Sequence, residues 1–207
     1  MIVAALFVHE GGVYYNLPDV DPWGASRDAR KYDGDHPIVA HPPCERWGRY
    51  WNGGPSARVR RKKGDDGGCF ASALASVRRC GGVLEHPEAS HAWAAHGLQR
   101  PPRAGGWVEA DALGGWTCCV EQGHYGHRAR KATWLYAIDA ALPELKWGPC
   151  LDRERLDEGF HSREERERAR AAGQAPRKRL SSIENLTTPI AFRDLLLSIA
   201  RSAGGSR

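Results

Sequence analysis

Three short segments hold residue types that can do chemistry. In Val39-Ala40-His41-Pro42-Pro43-Cys44, an apolar run of strand length ends in a thiol presented through two prolines. Each proline fixes φ and removes a backbone donor, so the loop is stiff and the sulfur is aimed. An aimed, partly exposed thiol becomes a nucleophile when its pKa is lowered. In Val83-Leu84-Glu85-His86-Pro87, a carboxylate stands where a second apolar run is stopped by proline. It can protonate or hydrogen-bond a heteroaromatic nitrogen if burial raises its pKa. In Gly126-His127-Arg128-Ala129-Arg130-Lys131, two arginines alternate. On an extended segment they share a face and suit a phosphate or a base edge. Taken singly, each segment has a plainer reading: a buried structural cysteine, a surface glutamate at a strand end, and a basic edge that discourages aggregation.

The elements that must position these groups alternate strand with helix. Residues 2–8 are a continuous apolar run, as in a strand buried on both faces. Short strands are expected at 38–40 and 83–85, and two more, 116–122 and 133–138, flank the arginine segment. Phe70, Leu74 and Val77 have helical spacing, and the Gly81-Gly82 pair ends that helix. Residues 16–22 read as turn and 26–32 as a short helix; 52–68 form a basic flap and 97–106 a loop. The Arg/Glu-rich stretch 152–180 reads as a solvated helix or arm, and Ile190, Leu195, Leu196 and Ile199 as one face of a C-terminal helix. This order predicts an α/β fold with its chemistry beyond the carboxyl ends of the strands. It divides into a catalytic region 1–150, an arm 151–183, and a helix within 184–207 that packs back on the catalytic region.

Composition narrows the classes. The chain has 207 residues, 41 % hydrophobic and 27 % charged, which suits one soluble domain and excludes wholesale disorder. No apolar run reaches the roughly 20 residues of a membrane span, and no membrane partner is expected. The apolar N-terminus lacks a basic leader region and reads as a strand, not a signal peptide. Six cysteines without a Cys-x-x-Cys pair read as reduced cytoplasmic thiols. Cys118, Cys119, His124 and His127 lack the spacing of a zinc site, and Glu45, not a second cysteine, follows Cys44 as a deaminase would not allow; no metal is expected. The net charge of +5 permits a polyanionic partner. Trp47, Tyr50 and Trp51, interleaved with Arg46 and Arg49, either stack on bases or pack the core.

Together and in order, the three segments resemble DNA cytosine-5 methyltransferases. That family carries a Pro-Pro-Cys loop after a strand, a Glu-Asn-Val strand end and a Gln-x-Arg-x-Arg segment. Tyr125-Gly126 resembles the aromatic-glycine pair before its arginines. Leu6-Phe7-Val8 with Gly11-Gly12 resembles its first strand and Gly-rich turn, and Asn185-Leu186-Thr187-Thr188-Pro189 its late Asn-Ala-Val-Pro-Pro segment. The resemblance spans residues 2–138 and 184–200, and extends to short phage proteins with the His-Pro-Pro-Cys and Gly-His-Arg segments.

The resemblance implies a Rossmann-like methyltransferase sheet, abbreviated in its cofactor-binding half. It implies that Cys44 adds to cytosine C6, that Glu85 acts at N3, and that Arg128 with Arg130 holds the base or its phosphate. S-adenosylmethionine would lie against Phe7, Gly11, Gly12, Asp21 and Asn185, with Asp19 and Asp28 as other candidates for the ribose carboxylate. DNA would meet His41, Pro43, Arg46, Trp47, His86, His127 and Lys131, its target base leaving the stack. The setting would be the bacterial cytoplasm, from a phage or prophage gene, with no obligate protein partner. The departures are specific. The stretch from Phe7 to Cys44 is short for the family, Phe-x-Gly-x-Gly is absent, His86-Pro87 replaces Asn-Val, and a full target-recognition domain does not fit. Three outcomes stay open: a minimal methyltransferase, an enzyme placing another group at pyrimidine C5, and a relative that only binds.

Overall fold

The structure is a computed structural model that describes residues 1–48, 50–53, 58–153, 163–174, 180, 184 and 186–204. Its centre is a seven-stranded mixed sheet. The strands are β1 (Val3–Leu6), β2 (Val20–Trp23), β3 (Ile38–Ala40), β4 (Gly82–Pro87), β5 (Val108–Glu109), β6 (Trp116–Glu121) and β7 (Ala132–Ile138), in the order β2-β1-β3-β4-β7-β6-β5. β2, β1, β3 and β4 run parallel; β7 is antiparallel to β4 and to β6, and β5 is antiparallel to β6.

Alternation along each strand builds two cores. Ala4, Leu6, Ile38, Ala40 and Leu84 face one layer, where α1 (Cys69–Cys80) contributes Phe70, Leu74 and Val77 and α2 (His91–Ala95) contributes Trp93. Val3, Ala5, Val39 and Val83 face the other. That face is covered by Phe192, Leu196, Leu197 and Ile199 of a C-terminal helix, Ile190–Arg201. A further helix, α3 (Arg163–Ala171), precedes it, so the C-terminal helix is α4. Strands buried on both faces read as unbroken apolar runs, which is why residues 3–6 and 38–40 show no polar alternation. Gly82 begins β4 at φ +121°, and a β-carbon there would lie 2.1 Å from the Ile38 carbonyl oxygen, so only glycine lets β4 approach β3 this closely.

β1, β2 and β3 end level, and β4 runs on past them to Pro87 along β7. Leu6 pairs with Ala40, and Ala40 with Leu84, so Phe7, His41 and Glu85 emerge side by side. The chain order reverses direction between β1 and β3, and crevices outside strand ends at such a reversal are where open α/β sheets hold ligands.

Three elements differ from the sequence reading. The turn expected at 16–22 contains most of β2, with Asp21-Pro22 inside it. Proline is tolerated there because β2 is an edge strand, whose outer groups need no partner. The helix expected at 26–32 is one 3₁₀ turn, Ala29–Lys31. The two-residue β5 lies next to the 97–106 loop and is too short for periodicity to register. Among the described residues, no helix is long and apolar enough to cross a membrane.

Seating of α4 on the sheet gives a direct test. Phe192 is fully buried whereas Ile190 is 61 % exposed. Phe192→Ala should lower the unfolding free energy in urea by about 3–5 kcal/mol. Ile190→Ala should change it by less than about 0.5 kcal/mol.

Candidate active site

His41 is the first residue past β3, and its backbone N–H donates to the Leu6 carbonyl at 3.0 Å. The imidazole lies between two side chains. Nδ1 is 2.9 Å from Glu85 Oε2 and Nε2 is 2.8 Å from the Tyr14 hydroxyl. Gln122, just past β6, donates from Nε2 to Glu85 Oε1 at 3.3 Å and to Thr133 Oγ1 at 3.0 Å. Gln122 is buried, and its Oε1 has no hydrogen-bond partner among the described residues.

The Glu85 side chain is 12 % accessible. Burial by itself raises a carboxyl pKa, but the hydrogen bond with His41, followed by the charges of His41 and Lys131, holds this one below the ordinary carboxylate value. Glu85 is therefore an ionised acceptor, and His41 Nδ1 must carry a proton toward it. The Tyr14 phenol is pushed well above its ordinary value by burial and then by the Glu85 charge.

Cys44 follows on the Pro-Pro loop and is partly buried. Its carbonyl accepts from the N–H groups of Trp47 and Gly48 at 2.9 and 3.0 Å, which closes the loop into a turn. Burial raises the thiol pKa and the Glu85 carboxylate raises it further, while Lys131 acts in the opposite sense. Lys131 precedes β7 at φ +43°, an uncommon conformation for a side-chain-bearing residue, and such strain gathers at functional sites. Its ammonium donates to the Thr187 carbonyl at 3.2 Å. Desolvation lowers its pKa; Glu85 and then Cys44 counter that. A thiol, a carboxylate and an ammonium thus lie within electrostatic range of one another around the end of β3, the middle of β4 and the start of β7.

The other expected site residues divide into several settings. Arg128 is exposed and pairs with Glu184. Arg130 is partly buried, and its Nε has no partner among the described residues. His127 is buried and structural. Its Nδ1 accepts from the Ala129 N–H at 3.0 Å and its Nε2 bonds the Glu184 carbonyl at 3.0 Å, so it fastens this segment to residue 184 instead of facing DNA. His86 and Trp47 are also corrected from DNA contacts to packing residues. His86 is 0 % exposed, between Phe70 and Trp93. Trp47 packs on Phe70 and donates from Nε1 to Asp66 at 2.8 Å. Pro43 is exposed and Arg46 partly buried beside the Cys44 turn. Tyr14 and Thr133 have no role in the sequence reading, and Gln122 stands in the Glu121–Lys131 segment with no role assigned to it. Gln122 adjoins a strand end, a signal that was available, whereas Tyr14 reaches His41 across 27 positions and left none.

The acidic groups at the ends of β1 and β2 are held by internal partners. Asp21 lies level with Ala4, two residues short of the β2 end, and accepts from Trp23 Nε1 and Arg27. The Arg27 guanidinium covers the Trp23 ring at 3.8 Å. Phe7 turns out of β1 at φ +59° and is partly buried. Gly11 is exposed at φ +66°, and Gly12 folds back with its N–H on the His9 carbonyl. Between them Glu10 accepts from Tyr15 Oη at 2.5 Å, Ser26 N at 2.9 Å and Ser26 Oγ at 2.8 Å. The Tyr15 and Ser26 hydrogen bonds bring its pKa to about 2. A β-carbon at Gly24 would overlap the Glu10 carboxylate at 2.4 Å, so this strip is closed against the turn after β2. Asp28 is held by Arg30 and Asp19 by Arg201. Each acid that could take a ribose already has an internal donor. Asn185 lies outside the described residues, as does Arg49. The chain matches no family model and no curated protein.

His86 generates a pH prediction. Neither ring nitrogen has a hydrogen-bond partner among the described residues, and burial lowers its pKa from 6.5 to about 4. The unfolded chain therefore binds this proton first as pH falls. Stability from neutral His86 is complete above pH 6.5 and lost progressively down to about pH 4. His86→Phe should remove this contribution. Between pH 7 and 4, wild-type stability in urea should fall relative to the variant by about 3 kcal/mol.

Proposed function

We propose that this chain modifies a pyrimidine base, cytosine in DNA, through a covalent bond from Cys44 to ring C6. The single observation that carries the reading is that Cys44, Glu85 and Lys131 lie within electrostatic range of one another on one side of the sheet. Cys44 and Glu85 come from the two segments for which the resemblance implies catalysis. A Rossmann-like reading of the sheet is part of the proposal. It is supported by the parallel set β2-β1-β3-β4, by helices on both faces, and by β2 standing as an edge with no strand outside it.

Each side chain has a defined task. The Cys44 thiolate forms the S–C6 bond. The C5–C6 electron pair moves into the ring, N3 takes a proton, and C5 becomes nucleophilic toward a carbon electrophile. Loss of the C5 proton then expels the thiolate. Glu85 receives the ring edge and serves N3, and Lys131 stabilises the thiolate. Lys131 takes the place the resemblance gives to Arg128. The closed strip around Glu10 favours a donor other than S-adenosylmethionine, so the enzyme adding another group at C5 is the outcome adopted here.

DNA would approach over the exposed basic segment Arg58, Arg60, Arg61, Lys62 and Lys63. Its base is tied to the cysteine loop by the Gly64 N–H on the Arg46 carbonyl at 2.9 Å and by Trp47 on Asp66. Such a surface tracks phosphates and is salt-sensitive.

The test is a covalent trap. DNA carrying 5-fluoro-2′-deoxycytidine should form a denaturation-resistant adduct at Cys44, located by peptide mass spectrometry. Cys44→Ser should form none, and Glu85→Gln should slow the adduct by about 10²-fold or more. No adduct, with Cys44→Ser binding DNA as the parent does, would leave a binding protein only. Calorimetry with S-adenosylmethionine at millimolar concentration should show no heat of binding; a saturable heat would return methyl transfer to first place. DNA affinity should fall steeply between low and moderate salt.

A further inference from the structure

We infer that Tyr14 and His41 form a proton relay that loads Glu85, making His41 the proton source for the substrate ring. The inference rests on the reading above for the identity of the final acceptor. Addition of a thiolate to C6 leaves the displaced electron pair on N3, which must gain a proton at that step. Glu85 cannot supply one from its resting state, because it is ionised. Among the described residues, the titratable side chain hydrogen-bonded to it is His41, with Nδ1 2.9 Å from Oε2.

The step balances with His41 as the imidazolium. The S–C6 bond forms from the Cys44 thiolate, its proton already lost to solvent, as the C5–C6 π pair becomes the C4–C5 π bond and the C4–N3 π pair moves onto N3. One proton passes from His41 Nδ1 through the Glu85 carboxylate to N3. His41 ends as neutral imidazole and Glu85 returns to carboxylate. Tyr14 allows both states of His41. Its oxygen accepts from Nε2–H in the imidazolium and its O–H donates to Nε2 in the imidazole, at the same 2.8 Å separation. The buried phenol therefore turns its proton without ionising, consistent with its raised pKa.

The fold holds the relay in line. His41 is pinned through its backbone to Leu6, Tyr14 is buried against its ring, and Gln122 fixes the second Glu85 oxygen. The titratable and charged groups facing the pair are Cys44, His86 and Lys131, with Arg193 and Asp194 of α4 beyond Tyr14.

Two readouts on the full chain test this. In ¹⁵N NMR, neutral His41 should carry its proton on Nδ1. Glu85→Gln should weaken the preference for the Nδ1–H tautomer, which Glu85 sets, and Tyr14→Phe should leave that preference in place. A neutral His41 protonated on Nε2, or a tautomer ratio unmoved in Glu85→Gln, overturns the relay. In the trap assay, His41→Asn keeps an N–H for Glu85 but has no proton to give. It should slow adduct formation about 100-fold or more and flatten its pH dependence; adduct at the wild-type rate and profile overturns the relay. The two readings fail separately. A His41 tautomer that depends on Glu85, without any wild-type adduct, keeps the relay and ends the pyrimidine reading. Adduct formation with His41 unlinked from Glu85 does the reverse.

Discussion

One buried charge governs this molecule: the carboxylate of Glu85. Removing a carboxylate from water costs several kcal/mol unless donors and opposite charge replace the lost solvation. Here His41 and Gln122 supply the donors, and Lys131 supplies charge. These partners come from separate places in the chain: the β3 end, the β6 end and the β7 start. The parallel register of β3 with β4 and the antiparallel fit of β7 between β4 and β6 bring them together. A slip of one residue in any of these strands would send its side chains to the wrong face and leave the charge uncompensated. Sheet register and site electrostatics are therefore one constraint.

A second set of contacts fixes the thiol. The loop after Cys44 is tied to α2 through the His91 N–H on the Trp47 carbonyl, and to the start of α1 through Asp66. Asp66 accepts from the Trp47 indole and from the backbone N–H groups of Gly68 and Phe70, so one carboxylate joins the cysteine loop to the first turn of α1. The same logic past the neighbouring end of β1 gives a different result. Glu10 is satisfied by Tyr15 and Ser26, and that closure braces the loops after β1 and β2. Around Glu85 a thiol and an ammonium share the field of the charge, whereas the acids after β1 and β2 serve as struts.

Much of the strand and helix pattern was legible, for a physical reason. Central strands buried on both faces write themselves as apolar runs, and α1 shows its period through Phe70, Leu74 and Val77. β2 was hidden because its Asp-Pro pair mimics a turn, and only its edge position makes the proline harmless. In the site, Cys44 and Glu85 stood out because prolines punctuate both strand ends. Arg128 drew attention by its alternation with Arg130, yet alternation does not say which cation faces inward. Lys131, the next residue but one to Ala129, takes that place, while Arg128 meets Glu184, 56 positions away. Histidines were the least legible. His41, His86 and His127 share a type and proline- or glycine-rich surroundings, but one joins the charge network, one packs between aromatic rings, and one fastens backbone to backbone. Long-range partners decide among these roles, and local spacing carries no record of them.

The most direct measurement is the titration of the Cys44 thiol itself, followed by the pH dependence of its alkylation at the Cys44 peptide in wild type, Glu85→Gln and Lys131→Met. If the three groups share one site, removing the carboxylate should move the thiol midpoint down and removing the ammonium should move it up. A midpoint that stays in place in both variants would contradict the account, because Cys44 would then answer to neither charge.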